Sequence, residues 1–386
     1  MQKSPRILFL TRSLGCGGAE RQLVLLAAGL HHQGWSVTVA CFYAGGPFQR
    51  DLEQAGVQVI DLAKRGRWEV LGFLRRLFGV FRKVQPDIVH GYLPVPNMLA
   101  LLARWARSGT RVVWGVRASN IDLSQYDWFS RLTFWLQCRL ARFADLIIAN
   151  SSAGMAYHVA HGFPQRVMRV IPNGIDTTRF RFDAAGREHM RHVWGVPKSA
   201  VLVGLVGRLD PMKDHLTFIK AATRLASTDS NWWFVCVGDG APEYGNGLKQ
   251  QAIELGLDQR LIWAGACDDM PAAYSALDMA SSSSCGEGFP NVVAEAMACG
   301  RPCVVTDVGD SAWIVGAFGT VVPMRDPVAL AQGLEQMRLR MQVRGEMVAE
   351  AARTQIVEMF SPEGLIHSTA DILQQAVKSG RAGAVI

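Results

Sequence analysis

Short apolar runs recur along the chain, each followed by a turn and then by apolar residues at helical spacing, and this alternation dictates the fold class. The first is RILFLT (Arg6 to Thr11), then the glycine-rich turn Leu14-Gly15-Cys16-Gly17-Gly18, then a helical pattern from Ala19 to His31. SVTVACF (Ser36 to Phe42), VQVIDL (Val57 to Leu62), DIVHGY (Asp87 to Tyr92), RVVWGV (Arg111 to Val116) and LIIANS (Leu146 to Ser151) continue it, with helices expected around Trp68 to Val84 and Val95 to Arg107. Strands separated by helix-length connections pair in parallel, so the first half predicts a parallel sheet covered on both faces. The pattern changes between Arg166 and Pro197, where VMRVIPNGIDTTRF (Val167 to Phe180) places a Pro-Asn-Gly turn after a strand and a charged helix follows around Arg187 to Val193. A second series then opens: VLVGLVGRL (Val201 to Leu209), WWFVCVGDG (Trp232 to Gly240), LIWAGA (Leu261 to Ala266), CVVTD (Cys303 to Asp307) and GTVVP (Gly319 to Pro323), with helices between them and a helical tail from about Pro327. A chain of 386 residues exceeds one comfortable core, so two domains of one α/β type are expected.

Hydrophobic residues make up 49% and charged residues 19%, a globular balance, and no apolar run reaches the length of a membrane span. The opening MQKSPRILFLTRSLG is too briefly apolar for a signal peptide and reads as a first strand, so a cytoplasmic location is expected. Eight cysteines without a CxxC pair point to reduced, buried thiols. Residues 1 to 172 hold 21 Lys+Arg against 9 Asp+Glu, whereas the remainder holds 19 against 24. The basic half suits an anionic inner-leaflet membrane surface or a phosphorylated acceptor. Nucleic acid is not expected, because no recognised nucleic-acid module is present. Two segments combine basic and apolar residues: Lys64 to Lys83, with Trp68, Leu71, Leu74, Phe78 and Phe81 at helical spacing, and Arg131 to Arg142. The first fits a membrane-surface helix and equally a helix covering a sheet, with most apolar residues assigned to the core and the arginines to lipid.

The stretch from Ser281 to Cys303, SSSSCGEGFPNVVAEAMACGRPC, carries the clearest chemistry. Pro290 suits the first helical position and Gly300 the residue just past the end, which predicts a short helix from about Pro290 to Cys299. Gly288 and Phe289, the expected N-cap positions, offer no side-chain oxygen, so the first amides are left to receive an anion such as phosphate. Glu287 precedes the helix and Glu295 lies five residues beyond Pro290, roughly 7.5 Å along the axis. A pyrophosphate at the helix end would put a ribose near Glu295. Two solvated glutamates on an ordinary helix remain the alternative.

Four motifs make the chain resemble the retaining glycosyltransferases of family 4: GGAE at Gly17 to Glu20, VIPNGIDTTRF at Val170 to Phe180, VGRLDPMKD at Val206 to Asp214, and EGFPNVVAEAMACGRPCVVTDVG at Glu287 to Gly309. The resemblance implies the GT-B fold, two facing Rossmann-like domains, here an acceptor-binding domain over 1–172, a nucleotide-sugar-binding domain over 173–360, and a C-terminal helix over 361–386 packing back on the first. It implies that Arg208 and Lys213 bind the donor pyrophosphate and, with Glu287, form the catalytic set. Gly17, Gly18, Gly265, Ala266, Gly288, Phe289, Pro290, Asn291 and Glu295 are the further implied donor contacts. Two fixed cations at a strand end would stabilise charge building on a departing nucleotide. Many relatives carry a histidine after the strand matching RVVWGV; this chain reads Arg117-Ala118-Ser119-Asn120-Ile121-Asp122 there. That departure promotes Arg117, Asn120 and Asp122 as acceptor contacts, with Asp122 open as a nucleophile and a front-face mechanism preferred.

No cofactor and no metal are expected: Asp-x-Asp is absent, and the adjacent Asp268-Asp269 fits a helix N-cap. The expected reaction moves a hexose or N-acetylhexosamine from a nucleotide-sugar, UDP-sugar favoured, to a lipid-linked oligosaccharide or polysaccharide in bacterial surface polysaccharide synthesis. An epimerase on the same fold and a non-catalytic peripheral membrane or scaffold protein are the alternatives. Oligomeric state is not legible, and neither is the choice for Glu287 between orienting the sugar and stabilising its developing positive charge.

Overall fold

The structure, a computed structural model, describes residues 4–15, 17–66, 68–117 and 128–382. The chain divides into two compact units, one of residues 1–174 with 362–386 and the other of residues 175–361.

The first unit is built on a parallel sheet of β1 (Arg6–Thr11), β2 (Ser36–Cys41), β3 (Gln58–Asp61), β4 (Ile88–Tyr92), β5 (Arg111–Val116), β6 (Leu146–Ala149) and β7 (Met168–Val170). Their order is β3-β2-β1-β4-β5-β6-β7, with Ile7 opposite both Val37 and Ile88. Residues alternate between faces along each strand, so Ile7 and Phe9 join Leu23, Leu26 and Leu30 of the Gly18–His32 helix, while Leu8 and Leu10 join Phe73, Leu77 and Phe81 of the Leu71–Val84 helix. The final helix, Pro362–Ala382, belongs to this unit and brings Leu365 and Leu373 into the first of these layers. Its contact with the Gly18–His32 helix is close enough that a Cβ on Gly29 would stand 2.2 Å from Ile366 Cδ1.

Three expectations for this unit are corrected. The helix begins at Leu71, and its buried residues are Phe73, Leu77, Val80 and Phe81; Trp68 and Leu71 are each 84% exposed, and Leu74 and Phe78 sit at the margin. Both stripes have helical spacing, and contact with the sheet decides between them. Arg76 does not face lipid, because it donates to the carbonyls of Leu62 at 2.7 Å and Ala63 at 3.1 Å and pairs with Glu69 at 2.6 Å. The helix expected over Val95 to Arg107 is two pieces, Pro94–Ala100 and Ala103–Ala106.

The second unit carries β8 (Val201–Val206), β9 (Trp232–Val237), β10 (Leu261–Gly265), β11 (Met279–Ser282), β12 (Cys303–Thr306) and β13 (Thr320–Val322), in the order β10-β9-β8-β11-β12-β13. Phe218, Leu225, Phe234, Leu334 and Met337 fill one side of this sheet, and Tyr274, Val293, Met297, Ile356 and Phe360 the other. The long helix Pro327–Met359 is interrupted at Arg344, whose backbone leaves helical values (φ −142°, ψ 36°). In both sheets the chain starts in the middle, works toward one edge, and then returns to the other side of its starting strand. The strand order therefore reverses between β1 and β4 and between β8 and β11, where open α/β sheets leave a crevice at the strands' carboxyl ends.

Trp114 is fully buried in β5 against Phe163 and is a core residue. Trp114→Ala is expected to lower unfolding stability by about 3–5 kcal/mol, read by urea denaturation.

Burial also sets the charge state of His215, which is closed off behind Lys213 and Asp214; among the described residues neither ring nitrogen finds a hydrogen-bond partner. Burial first, and Lys213 second, push its pKa down to about 4 from 6.5. The unfolded chain therefore takes up this proton at a higher pH than the folded one, so the contribution is intact above 6.5 and is lost as pH falls toward 4. Melting temperature measured across that window should fall with acid, and His215→Leu should make the fall shallower. His90, also held neutral by burial, keeps it from vanishing.

Candidate active site

Two loops meet at the reversal point of the second sheet. The loop after β8 runs from Gly207 to Asp214. Asp210 shapes it by accepting from the Met212 amide at 3.0 Å, and Pro211–Lys213 form a single 3-10 turn. Asp214 then takes a left-handed conformation (φ 46°) and caps the His215–Thr228 helix through Thr217 N at 3.2 Å. The loop after β11 is tied to this one. Ser283 Oγ donates to the carbonyls of Lys213 and Asp214, both at 2.9 Å, and the Cys285 amide donates to the Met212 carbonyl at 2.8 Å.

This tie brings Lys213 Nζ to 2.5 Å from Glu287 Oε1, an oxygen that also accepts from Ser284 Oγ at 2.8 Å. Both side chains are largely buried, at 17% and 9% exposure. Glu287 is pinned from behind as well. Gly309 has φ +59°, and a Cβ there would lie 2.5 Å from the carbonyl oxygens of Glu287 and Gly288. The Asp310 amide donates to the Gly288 carbonyl at 2.9 Å. Only glycine accepts both that conformation and that approach.

The helix after these residues is Asn291–Ala298, with Pro290 as its N-cap and no side-chain cap. It starts one residue later than expected because Pro290 stays extended (ψ 95°), and Gly300 ends it in the left-handed region (φ 71°). No N-cap side chain bonds to its first turn, a helix start suited to an anion. Gly288, Phe289 and Pro290 are buried in front of it. Glu295 is 7% exposed, and one of its oxygens accepts from the buried Tyr274 hydroxyl at 2.9 Å. Arg208 is 70% exposed and pairs with Asp210 at 2.9 Å, an arrangement that contributes little to stability and leaves the guanidinium accessible.

The remaining expected residues are carried by other elements. Gly265 (φ 68°) ends β10, two strands from β8, where its carbonyl accepts from Gly238 N at 2.7 Å, and Ala266 follows it. Asp269 caps the Met270–Ala276 helix through the Ala272 amide at 3.1 Å. Gly17 and Gly18 lie in the first unit at the carboxyl end of β1, Gly17 as N-cap of the Gly18–His32 helix, where a Cβ would collide with the Glu20 carboxylate. Arg117 follows β5, donates to Asn173 Oδ1 at 3.0 Å and to the Tyr92 hydroxyl at 2.7 Å, and lies 4.6 Å from the Tyr92 ring centroid. Asn120 and Asp122 fall outside the described residues. Sequence reasoning missed Tyr274, Ser283, Ser284, Tyr92 and Asn173. The four-serine run was the visible signal for two of them, and nothing local marks the others.

Two surface grooves, of about 410 and 570 Å³, run along the Pro327–Met359 helix beside Phe318 and Met347 and are separate from this cluster.

Two family descriptions match the chain: glycosyltransferase family 4 over residues 16–179 and glycosyl transferases group 1 over residues 200–338. The lipopolysaccharide core biosynthesis glycosyltransferase LpsE of Rhizobium meliloti is 28% identical over 363 residues, covering 92% of this chain and 96% of its own. The UDP-Gal:alpha-D-GlcNAc-diphosphoundecaprenol alpha-1,3-galactosyltransferase of Escherichia coli is 26% identical over 65% of this chain and 66% of its own. With several other relatives the match spans only 48 to 58% of their length. Anabaena HepE, solved with UDP-glucose, superposes with a TM-score of 0.84 at 24% identity, covering 96% of this chain and 99% of that one, a likeness in fold. With the two family descriptions falling on its two halves and two parallel sheets of this topology, the chain belongs to the group 1, family 4 type of glycosyltransferases and has the GT-B fold.

Proposed function

We propose that the protein transfers a hexose or N-acetylhexosamine from a UDP-sugar to a lipid-linked oligosaccharide or polysaccharide, with retention of configuration, in the assembly of bacterial surface polysaccharide. The observation that carries this reading is the convergence of Lys213, Glu287 and an uncapped helix start at the point where the second sheet reverses its order. The E. coli relative is named for a UDP-Gal donor and a diphosphoundecaprenol-linked acceptor, and LpsE for lipopolysaccharide core synthesis, which supports the donor and acceptor classes.

In this reading the donor pyrophosphate lies against the first amides of the Asn291–Ala298 helix, with Lys213 and Arg208 neutralising the charge that grows as the anomeric carbon–oxygen bond breaks. Neutralisation by these groups requires no metal or cofactor. Glu295, oriented by Tyr274, accepts from the ribose hydroxyls. Glu287 contacts the transferred sugar, and its negative charge lies where the ring carbon becomes positive. The leaving phosphate oxygen takes the proton of the acceptor hydroxyl, and the acceptor oxygen bonds to the same face that the phosphate leaves. Arg117 is assigned to the acceptor.

A donor panel of UDP-, GDP- and ADP-sugars tests this directly. A cognate donor at a hundred times its Kd should stabilise the protein by about 2.7 kcal/mol in thermal unfolding. Lys213→Ala should lower kcat about 10²- to 10³-fold. Glu287→Gln, which keeps an acceptor for Ser284, should lower kcat with little change in donor affinity. NMR of the product distinguishes transfer to an acceptor from conversion of the donor alone. Absence of both donor binding and donor turnover across the panel overturns the proposal.

A further inference from the structure

We infer that the outer face of the Trp128–Leu140 helix, continued by Arg142 and Phe143, is a docking surface for an anionic phospholipid bilayer. For its purpose, delivery to a lipid-linked acceptor, this rests on the function proposed above. The surface itself is argued from the first unit alone.

The helix is amphipathic in an unusual sense. Phe134 and Gln137 are buried, while Trp128, Phe129, Leu132, Trp135 and Leu136 are exposed together with Arg131 and Arg139. Trp128, Leu132 and Trp135 are spaced four and three residues apart and so share one face. A face exposed to water alone would not gather two tryptophans and a leucine. Aromatic rings beside arginines suit a bilayer interface, where rings sit at headgroup depth and guanidinium groups reach the phosphates. Arg139 lies 5.3 Å from the Trp135 ring centroid and Arg142 4.9 Å from that of Phe143, so charge and aromatic surface are presented together.

Charge selects the occupant. Residues 128 to 143 contain no Asp or Glu. Among the described residues of this unit, three carboxylates are already engaged: Glu69 with Arg76, Asp87 with Arg6 and Arg107, Asp145 with Arg104 and Arg111. Among the described residues Arg131, Arg139 and Arg142 enter no ion pair. Elsewhere on the same unit Trp105 is exposed and stacked on Phe78, and Leu71, Arg75, Arg82 and Lys83 are exposed. No helix among the described residues is long and apolar enough to cross a membrane, so attachment here is a helix lying in the interface.

The test is flotation of the full chain with vesicles of phosphatidylcholine alone and of phosphatidylcholine with phosphatidylglycerol, with sedimentation of the protein alone. The wild type should float with the anionic vesicles, less so in high salt. Trp128→Ser/Leu132→Ser/Trp135→Ser should weaken this about tenfold or more, and Arg131→Glu/Arg139→Glu should remove the preference for anionic lipid. Melting temperature and UDP-sugar stabilisation should be unchanged in both variants. Absence of wild-type flotation, equal flotation of the triple variant, or a dimer that the triple variant dissolves each overturns the inference. Loss of donor stabilisation in the wild type, with flotation intact, counts against the proposed catalysis and leaves the docking surface standing.

Discussion

The pairing of Lys213 with Glu287 joins two loops that leave adjacent strands 74 residues apart in the chain. A lysine and a glutamate this shielded from water give up hydration that their mutual attraction only partly returns. They hold position because the backbone around them is already fixed. Ser283 ties the second loop to the first, Thr306 Oγ1 donates to the Ser284 carbonyl at 2.6 Å, and Gly309 lets the next loop press against Glu287 and Gly288. The pair is thus a consequence of a rigid frame, and in the proposed chemistry it is available to exchange partners. In that proposal Lys213 would face the pyrophosphate while Glu287 contacts the sugar.

Glu295 is arranged differently. Its neighbour is a neutral phenol, Tyr274, itself fully buried and packed edge-on to Phe180. A hydroxyl donor orients a carboxylate without itself carrying a positive charge. The two glutamates therefore sit in unlike surroundings, one beside a cation and one beside a hydroxyl donor. That contrast is what separate roles on a single ligand require, and neither partner can be read from the spacing of the glutamates alone.

Much of the architecture was legible because the rules that set it are local. Buried parallel strands read as continuous apolar runs, proline and glycine bracket the Asn291–Ala298 helix, and Asp269 caps as its position suggests. Failures occur where a distant surface decides. The Leu71–Val84 helix carries apolar residues on more than one side, and only the sheet beneath selects Phe73, Leu77 and Val80 over Leu71, while Trp68 lies before the helix begins. Tyr274 meets Glu295 across 21 residues, and Arg117 meets Asn173 across 56. No pattern of period two or 3.6 encodes such a meeting. The serines are an intermediate case: their number was conspicuous, yet which of them turns toward Glu287 depends on how β11 pairs with β8 and β12.

The first unit shows how a misread stripe and an apolar surface are related. Apolar residues on a helix are recruited to the sheet only up to the width of the contact, and those beyond it remain outside whatever their hydrophobicity. On the Trp128–Leu140 helix the excess is large, and it lies in the half of the chain with the excess of positive charge. A chain under pressure only to fold and stay dissolved would replace such residues with polar ones at small energetic cost. Their presence beside arginines is what the proposed bilayer-docking face accounts for.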